Sequence, residues 1–228
     1  SKIKDEAFAY IGDHKDGITE KEVQKFVHEK FKEYKLKTDH PQIIAFGSSS
    51  ATPHYYPNLR NTKRLRKNTF ILIDLWARLK EKNSPFADLT WVGFYGDKIP
   101  EEIRRVFNVI VKSRDSCLDF IRNSLKSKKM PVGREIDEVS RKVINNAGYK
   151  KFIKHSTGHS IGTTSPHGIY GHLRKSNYNC LLKNRGYTIE PGIYIKNKFG
   201  IRSEIDFFID KNMKSILTSK IQRKIIRT

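Results

Sequence analysis

Four acidic residues stand where apolar strands should run, and no other feature of the sequence limits the fold as tightly. Asp74 closes the run that starts at Phe70, and Asp88 opens the run that ends at Phe94. Glu190 lies inside Tyr187–Ile195, and Glu204 inside Ile201–Ile209. A carboxylate in a half-buried strand is costly unless its charge is compensated. Each acid alone reads equally well as an outward-facing strand residue, but a converging set does not. Two anions about 4 Å apart at an effective dielectric of about 20 repel by about 4 kcal/mol. Such a set splays, protonates or gathers around cations, and two divalent ions match four carboxylates charge for charge. His159, in His155-Ser-Thr-Gly-His159-Ser-Ile-Gly162, adds one imidazole. An oxygen-rich donor set with a single imidazole suits Mn²⁺ and accepts Co²⁺, Fe²⁺ or Zn²⁺. Asp74, Asp88, His159, Glu190 and Glu204 therefore read as a two-metal hydrolase site, where a bridging water becomes hydroxide near neutral pH.

The periodicity around these residues predicts an α+β domain. Residues 18–36 read as an amphipathic helix with Val23, Phe26, Val27 and Phe31 on one face, behind a Thr19–Glu22 capping box, with Asp16 and Gly17 as punctuation. A longer helix is expected from Pro100 to about Lys126, and a third from Arg134 to Ala147 with Gly148 as its stop. Runs rich in branched and aromatic residues at 42–46, 70–75, 89–95, 187–195 and 201–209 read as strands of an antiparallel or mixed sheet. Gly17–Val23 and Gly133–Val139 open two helices in similar words, a faint echo of two similar halves. No Gly/Ser-rich or Pro-rich linker interrupts the chain, so residues 1–228 are read as one catalytic domain. The N-terminal boundary stays open, because the sequence starts at Ser1.

Lys and Arg number 45 against 24 Asp and Glu, a formal charge of +21. Such an excess suits nucleic acid. The cationic residues spread over nearly every segment, however, with clusters at 63–67, 126–129 and 220–227, and no RNP, zinc-finger or helix-turn-helix signature accompanies them. A solvated surface is the preferred reading. No apolar stretch is long enough for a membrane span or a signal core, so a cytoplasmic address is expected. Cys117 and Cys180 fit neither a disulfide framework nor a zinc framework and read as reduced thiols.

The five candidate ligands, in this order and these contexts, resemble those of the pita-bread metallopeptidases (family M24), which include aminopeptidase P, prolidase and methionine aminopeptidase. The resemblance runs from about residue 19 to 209. It is carried by Ala45-Phe-Gly-Ser48 through Pro53-His54-Tyr55, by Thr157–Gly162, by Ile189-Glu190-Pro191-Gly192-Ile193-Tyr194 and by Phe199-Gly200-Ile201-Arg202-Ser203-Glu204. The Glu-Pro-Gly-Ile-Tyr and Arg-Ser-Glu wording is nearest the Xaa-Pro peptidase branch. The resemblance implies the creatinase/aminopeptidase fold, two pseudo-symmetric halves around a curved, mostly antiparallel sheet. It also implies hydrolysis of an N-terminal peptide bond, next to proline, by metal-activated hydroxide. Asp88 and Glu204 would bridge the two ions, Asp74 would complete one, and His159 and Glu190 the other. Glu190 would double as general base. His54 and His167 would bind the peptide and steady the oxyanion, with His172 as a competitor for the latter place. Arg202 would hold a carboxylate, bind substrate or relay protons, an ordinary surface salt bridge being the alternative. His155 is read as structural or substrate-side, because Ser156, Thr157 and Gly158 disfavour the helix that i, i+4 zinc ligands need.

This sequence departs from the family pattern in several places. The 14 residues from Asp74 to Asp88 exceed the usual spacing, which an insertion at Lys80–Pro85 explains. Trp76 stands where a small Gly often follows the first Asp, and Trp91 where an Arg often follows Asp-x-Thr. His167 lies eight residues beyond His159, one more than the family leads one to expect. The separate N-terminal domain of many Xaa-Pro peptidases is not expected within these residues. Pairing into homodimers, common among the relatives, has no visible sequence signature here. The alternatives are a methionine aminopeptidase with the same ligands, and a non-catalytic pita-bread module that binds histones, RNA or ribosomes.

Overall fold

The computed structural model describes residues 1–15 and 17–228. Asp16, read above as punctuation, lies outside the described residues. Helix α1 (Lys2–Asp13) precedes α2 (Glu20–Glu33), whose N-terminus carries the expected capping box. Thr19 Oγ1 accepts from Glu22 N at 3.2 Å, while Glu22 Oε2 accepts from Thr19 N at 2.7 Å. The helix stops three residues short of the predicted 36, where Lys35 takes a positive φ and the chain turns into the two-residue strand β1 (Leu36–Lys37). Strand β2 (Ile43–Phe46) leads to the hairpin of β3 (Thr69–Leu79) and β4 (Ala87–Tyr95), and the insertion at 80–85 forms its turn. Helices α3 (Glu101–Lys126) and α4 (Gly133–Asn146) follow close to their predicted bounds. The last elements are β5 (Arg185–Ile189), β6 (Gly192–Ile195), β7 (Phe199–Arg202), β8 (Ile205–Ile209), β9 (Ser215–Leu217) and β10 (Ile226–Arg227).

Among the described residues strand pairing is antiparallel except where β10 runs parallel to β4, and it divides into sheets of five, three and two strands. The five-stranded sheet holds β1, β2, β3, β4 and β10. The others are β5-β8-β9 and β6-β7. Strand β3 is apolar on both faces because both are covered. Ile71, Ile73 and Leu75 meet α1 and α2 through Phe8, Ile11, Val23, Val27 and Phe31. Phe70, Leu72 and Trp76 join Ile103, Val106, Phe107 and Ile110 of α3 on the opposite face. Alternation along the strand puts Asp74 on this second face, between Leu72 and Trp76. The other half of the molecule packs Ile189, Ile205, Phe207 and Ile209 against Cys117, Leu118, Ile121 and Ile136.

Two predicted strands are each broken in two. The run 187–195 divides at Glu190-Pro191, and 201–209 divides at Ser203-Glu204. Pro191 has no N–H to continue a ladder, and Glu204 N turns across to Thr90 O at 3.2 Å instead. Both carboxylates are thus at strand junctions rather than inside strands, where they turn towards β4. Asp88 N reaches the same interface, donating to Asp206 Oδ2 at 2.8 Å. The basic clusters 63–67 and 126–129 are exposed except for Leu65, Cys117 is buried and Cys180 exposed. Among the described residues no helix is long and apolar enough to cross a membrane.

Candidate metal centre

A cavity of about 430 Å³ opens where the β3-β4 hairpin faces the two strand junctions. It is lined by Asp74, Asp88, His159, Glu190 and Glu204, and also by His54, His155, His167, His172 and Arg202. One atom each from Asp88, His159 and Glu204 lie within 4.8 Å of one another, the compact heart of the group. The register explains half of this: Asp74 pairs with Thr90 and Trp76 with Asp88, so two β3 side chains and two β4 side chains share one face.

The imidazole is prepared for a ligand. His159 Nδ1 lies 3.0 Å from Ser160 O and so carries the proton, which leaves a lone pair on Nε2. That Nε2 is 3.4 Å from Glu190 Oε1 and 3.7 Å from Asp88 Oδ2. Burial, aided by His167, pushes His159 down to about 3, so the ring stays neutral. Gly158 permits the approach: a Cβ there would be 2.2 Å from Thr188 O. Thr188 in turn holds His159 N through its hydroxyl at 3.0 Å.

The carboxylates have the opposite problem. Burial first, then Asp74, pushes the Asp88 carboxyl well above the usual range; burial and Asp88 do the same to Glu204. Burial carries Glu190 up to about 7. Arg202, 4% exposed, pairs with Asp74 Oδ2, donates to Thr90 Oγ1 at 2.9 Å and lies 3.9 Å from Glu190 Oε2. The surface-bridge alternative for this residue is thereby overturned. A single guanidinium leaves the four acids under-neutralised, and the buried Asp74 Oδ1 has no hydrogen-bond partner among the described residues. A cluster of hard oxygen donors, one neutral imidazole and an orphaned carboxylate oxygen fits divalent cations.

Several positioning groups carry little sequence signal. Thr90 Oγ1 donates to Glu204 Oε2 at 2.8 Å while accepting from Arg202. His155 Nδ1 donates to Ser156 O, so its Nε2 accepts from Tyr194 OH at 2.7 Å, and Tyr194 OH accepts from Arg202. His155 therefore braces the arginine, and burial keeps it neutral by pushing it down to about 3. His167 is brought back beside His159, ring centroids 4.1 Å apart, because Ile161 bridges to His167 and Gly168 N donates to Ser160 O. The extra residue in the 159–167 interval is absorbed by that turn. His54 is held through its neighbour: Tyr55 OH donates to the buried Glu20 at 2.6 Å. Trp91 faces away from the cavity, with Lys4 Nζ 3.6 Å over its ring, whereas Trp76 lines it. Sequence reasoning also passed over Asp39, Tyr56 and Arg174, which line the same cavity.

The family model of metallopeptidase family M24 matches residues 1–211. The chain belongs to this family. Its architecture is the α+β pita-bread fold of these peptidases. An X-Pro aminopeptidase from Thermotoga maritima superposes with a TM-score of 0.85 at 27% identity, covering 100% of this chain and 60% of that one. A dipeptidase from Pyrococcus horikoshii gives 0.83 at 26%, with the same coverage. An uncharacterized peptidase of Staphylococcus haemolyticus is 29% identical over 205 residues, 90% of this chain and 54% of its own length. The chain thus spans about half the length of the curated relatives it matches.

Proposed function

We propose that the protein is a two-metal peptidase that removes the N-terminal residue of peptides with proline in the second position. The observation that carries this reading is the convergence of four carboxylates and a lone-pair-bearing imidazole in one cavity, with His54, His167 and Arg202 on its walls. The family match and the X-Pro aminopeptidase and dipeptidase neighbours support it. Asp88 and Glu204 would be shared by the two ions, with Asp74 on one and His159 and Glu190 on the other. Mn²⁺ is the preferred ion on the chemistry of these donors. When bound, such ions polarise the scissile carbonyl and make water a nucleophile near neutral pH.

The residues divide the remaining work. Glu190, whose Oε1 lies 3.4 Å from His159 Nε2 within the donor set, would also serve as the general base that takes up and returns a proton. His54 and His167 stand ready to hold the peptide and to steady the oxygen that gains charge. Arg202 keeps Asp74 in place, and Thr90 and Tyr194 keep Arg202 in place.

The test is a metal determination on protein purified without chelator, followed by a panel of Xaa-Pro and Met-Ala-Ser peptides in Mn²⁺, Co²⁺ and Zn²⁺. Cleavage of the Xaa-Pro peptides, lost in Glu190→Gln and Asp88→Asn proteins of unchanged circular dichroism, is expected. Methionine release in place of Xaa-Pro cleavage would move the assignment to methionine aminopeptidase. Wild-type turnover in either variant, or salt-sensitive RNA binding by a protein that takes up no metal, overturns it.

A further inference from the structure

We propose that Asp39, held by the Trp76 indole, is an anionic subsite that selects substrates whose N-terminal residue is Lys or Arg. The inference rests on the peptidase reading above and names the substrate class for that same cavity.

Trp76 occupies a position on β3 two residues from Asp74, on the same face, and directly across from Asp88. Its indole is buried and walls the cavity. Nε1 donates to Asp39 Oδ1 at 2.7 Å, so the aromatic ring that narrows the cavity also aims a carboxylate along its wall. The Asp39 side chain is 24% exposed and lines the same cavity. Its second oxygen, Oδ2, has His40 Nδ1 at 3.4 Å, a ring that is itself 69% exposed. The Asp39 charge reaches across the cavity to Tyr56 and His167. One carboxylate oxygen is thus fixed by the indole, while the other has the exposed His40 ring beside it.

Charge decides which part of a peptide lies here. Arg174 and the ring nitrogens of His54 and His167, which line the same cavity, suit carbonyl oxygens and the C-terminal side of a substrate. Asp39, across Trp76 from the metal-ligand acids, offers a carboxylate to the positively charged N-terminal residue. Positions two apart on a strand are separated by about 6.6 Å, and the indole adds its own length beyond that. The α-ammonium, one carbon from the carbonyl that is cut, stays at the metal end of the cavity. The long side chain of an N-terminal Lys or Arg reaches Asp39. A chain of +21 repels cationic peptides at long range, so a preference for them is a local signature.

The experiment uses Lys-Pro-Ala, Arg-Pro-Ala, norleucine-Pro-Ala and Ala-Pro-Lys. Binding is measured calorimetrically to Mn²⁺-loaded Glu190→Gln protein, and kcat/KM is measured with the unaltered protein. At low salt, Lys-Pro-Ala and Arg-Pro-Ala are expected to bind about fivefold more tightly than the norleucine peptide, the scale of a partly exposed ion pair, and the ratio should shrink in high salt. The Lys-to-norleucine ratio should fall to about one in Asp39→Asn and fall part-way in Trp76→Phe, which keeps the ring but loses the indole N–H. A ratio of one in the unaltered cavity, a ratio insensitive to Asp39→Asn, or a stronger preference for Ala-Pro-Lys overturns the proposal while any turnover leaves the peptidase reading standing. Selective binding without turnover of any peptide supports the subsite and overturns the peptidase reading. No binding of any peptide overturns both.

Discussion

Replacing Glu190 by Gln should change stability in opposite directions with and without divalent ions. The folded protein holds the Glu190 proton up to about pH 7, whereas an unfolded chain releases it near the ordinary 4.5. The fold therefore binds the proton more tightly than the unfolded chain. Stability falls as pH rises through that window, and it is unaffected below it. At about 1.4 kcal/mol per pH unit, the cost of ionising this side chain reaches about 3 kcal/mol above pH 7. The side chain is 15% exposed, so that figure is a ceiling. Gln keeps the shape, accepts the same weak bond from Thr188 Oγ1, 3.4 Å away, and cannot ionise. Urea denaturation in EDTA should show Glu190→Gln more stable than the unaltered protein by up to about 3 kcal/mol at pH 8, and by less than about 1 kcal/mol at pH 5. With Mn²⁺ present the sign should reverse, since the variant has lost a ligand and gains less from the ion. A variant that is destabilised in EDTA at pH 8, or whose difference from the unaltered protein ignores pH, would refute the electrostatic account of this cavity.

Three further outcomes follow from packing and pairing. Gly158→Ala places a Cβ 2.2 Å from Thr188 O and must displace the His159 backbone; calorimetric titration should find Mn²⁺ affinity at least about tenfold lower. Glu20 accepts from Phe46 N and Lys63 N at 2.7 Å and from Tyr55 OH at 2.6 Å, so Glu20→Ala should cost about 3 kcal/mol or more in urea denaturation, with Glu20→Gln closer to the unaltered protein. Arg202→Met leaves neither Asp74 oxygen with a hydrogen-bond partner among the described residues and should cost about 3 to 5 kcal/mol in EDTA, part of which Mn²⁺ should restore; the same stability with and without the ion would speak against a cation at Asp74.

What could be read from the sequence depended on whether the signal was local. The capping box at Thr19, the apolar face of α3 and the stop at Gly148 are set by neighbours in the chain, and the structure places them close to where spacing puts them. Helix α1 was passed over although Ile3, Ala7, Phe8 and Ile11 stand at helical spacing, because Ser1 makes no side-chain cap to mark its start. The breaks at Glu190 and Glu204 were also hidden, because Val, Ile, Tyr and Phe on both sides of each glutamate have the same strand preference whether or not the ladder continues. At the cavity, the ionisable residues were legible because a carboxylate in an apolar run is conspicuous. Thr90, Tyr194 and Asp39 were not, because a hydroxyl in a strand or an acid in a loop is commonplace, and their partners, Glu204, Arg202 and Trp76, come from other segments of the chain that only the fold brings near. Trp76 and Trp91 look alike as departures from the family pattern, yet alternation on neighbouring strands sends one into the cavity and the other to Lys4.

The placement of the acids also dictates how metal and fold must depend on each other. Asp74 and Asp88 belong to the β3-β4 hairpin, while His159, Glu190 and Glu204 come from the second half of the chain. The backbone joins the two sets directly, through Glu204 N to Thr90 O and Asp88 N to Asp206 Oδ2. An ion held by both sets has no counterpart in the unfolded chain, where the nearest members of the two sets, Asp88 and His159, are 71 positions apart. Its binding free energy therefore appears as folding free energy, about 4 kcal/mol at a free concentration of about a thousand times Kd. Because the ligands straddle both halves, the gain cannot be confined to one of them. Hydrogen exchange should show amides of β3, β4 and β8 slowing together when Mn²⁺ is added to chelator-treated protein. Protection that rises only around Glu190 and Glu204, with the hairpin unchanged, would mean that the ion does not touch Asp74 or Asp88.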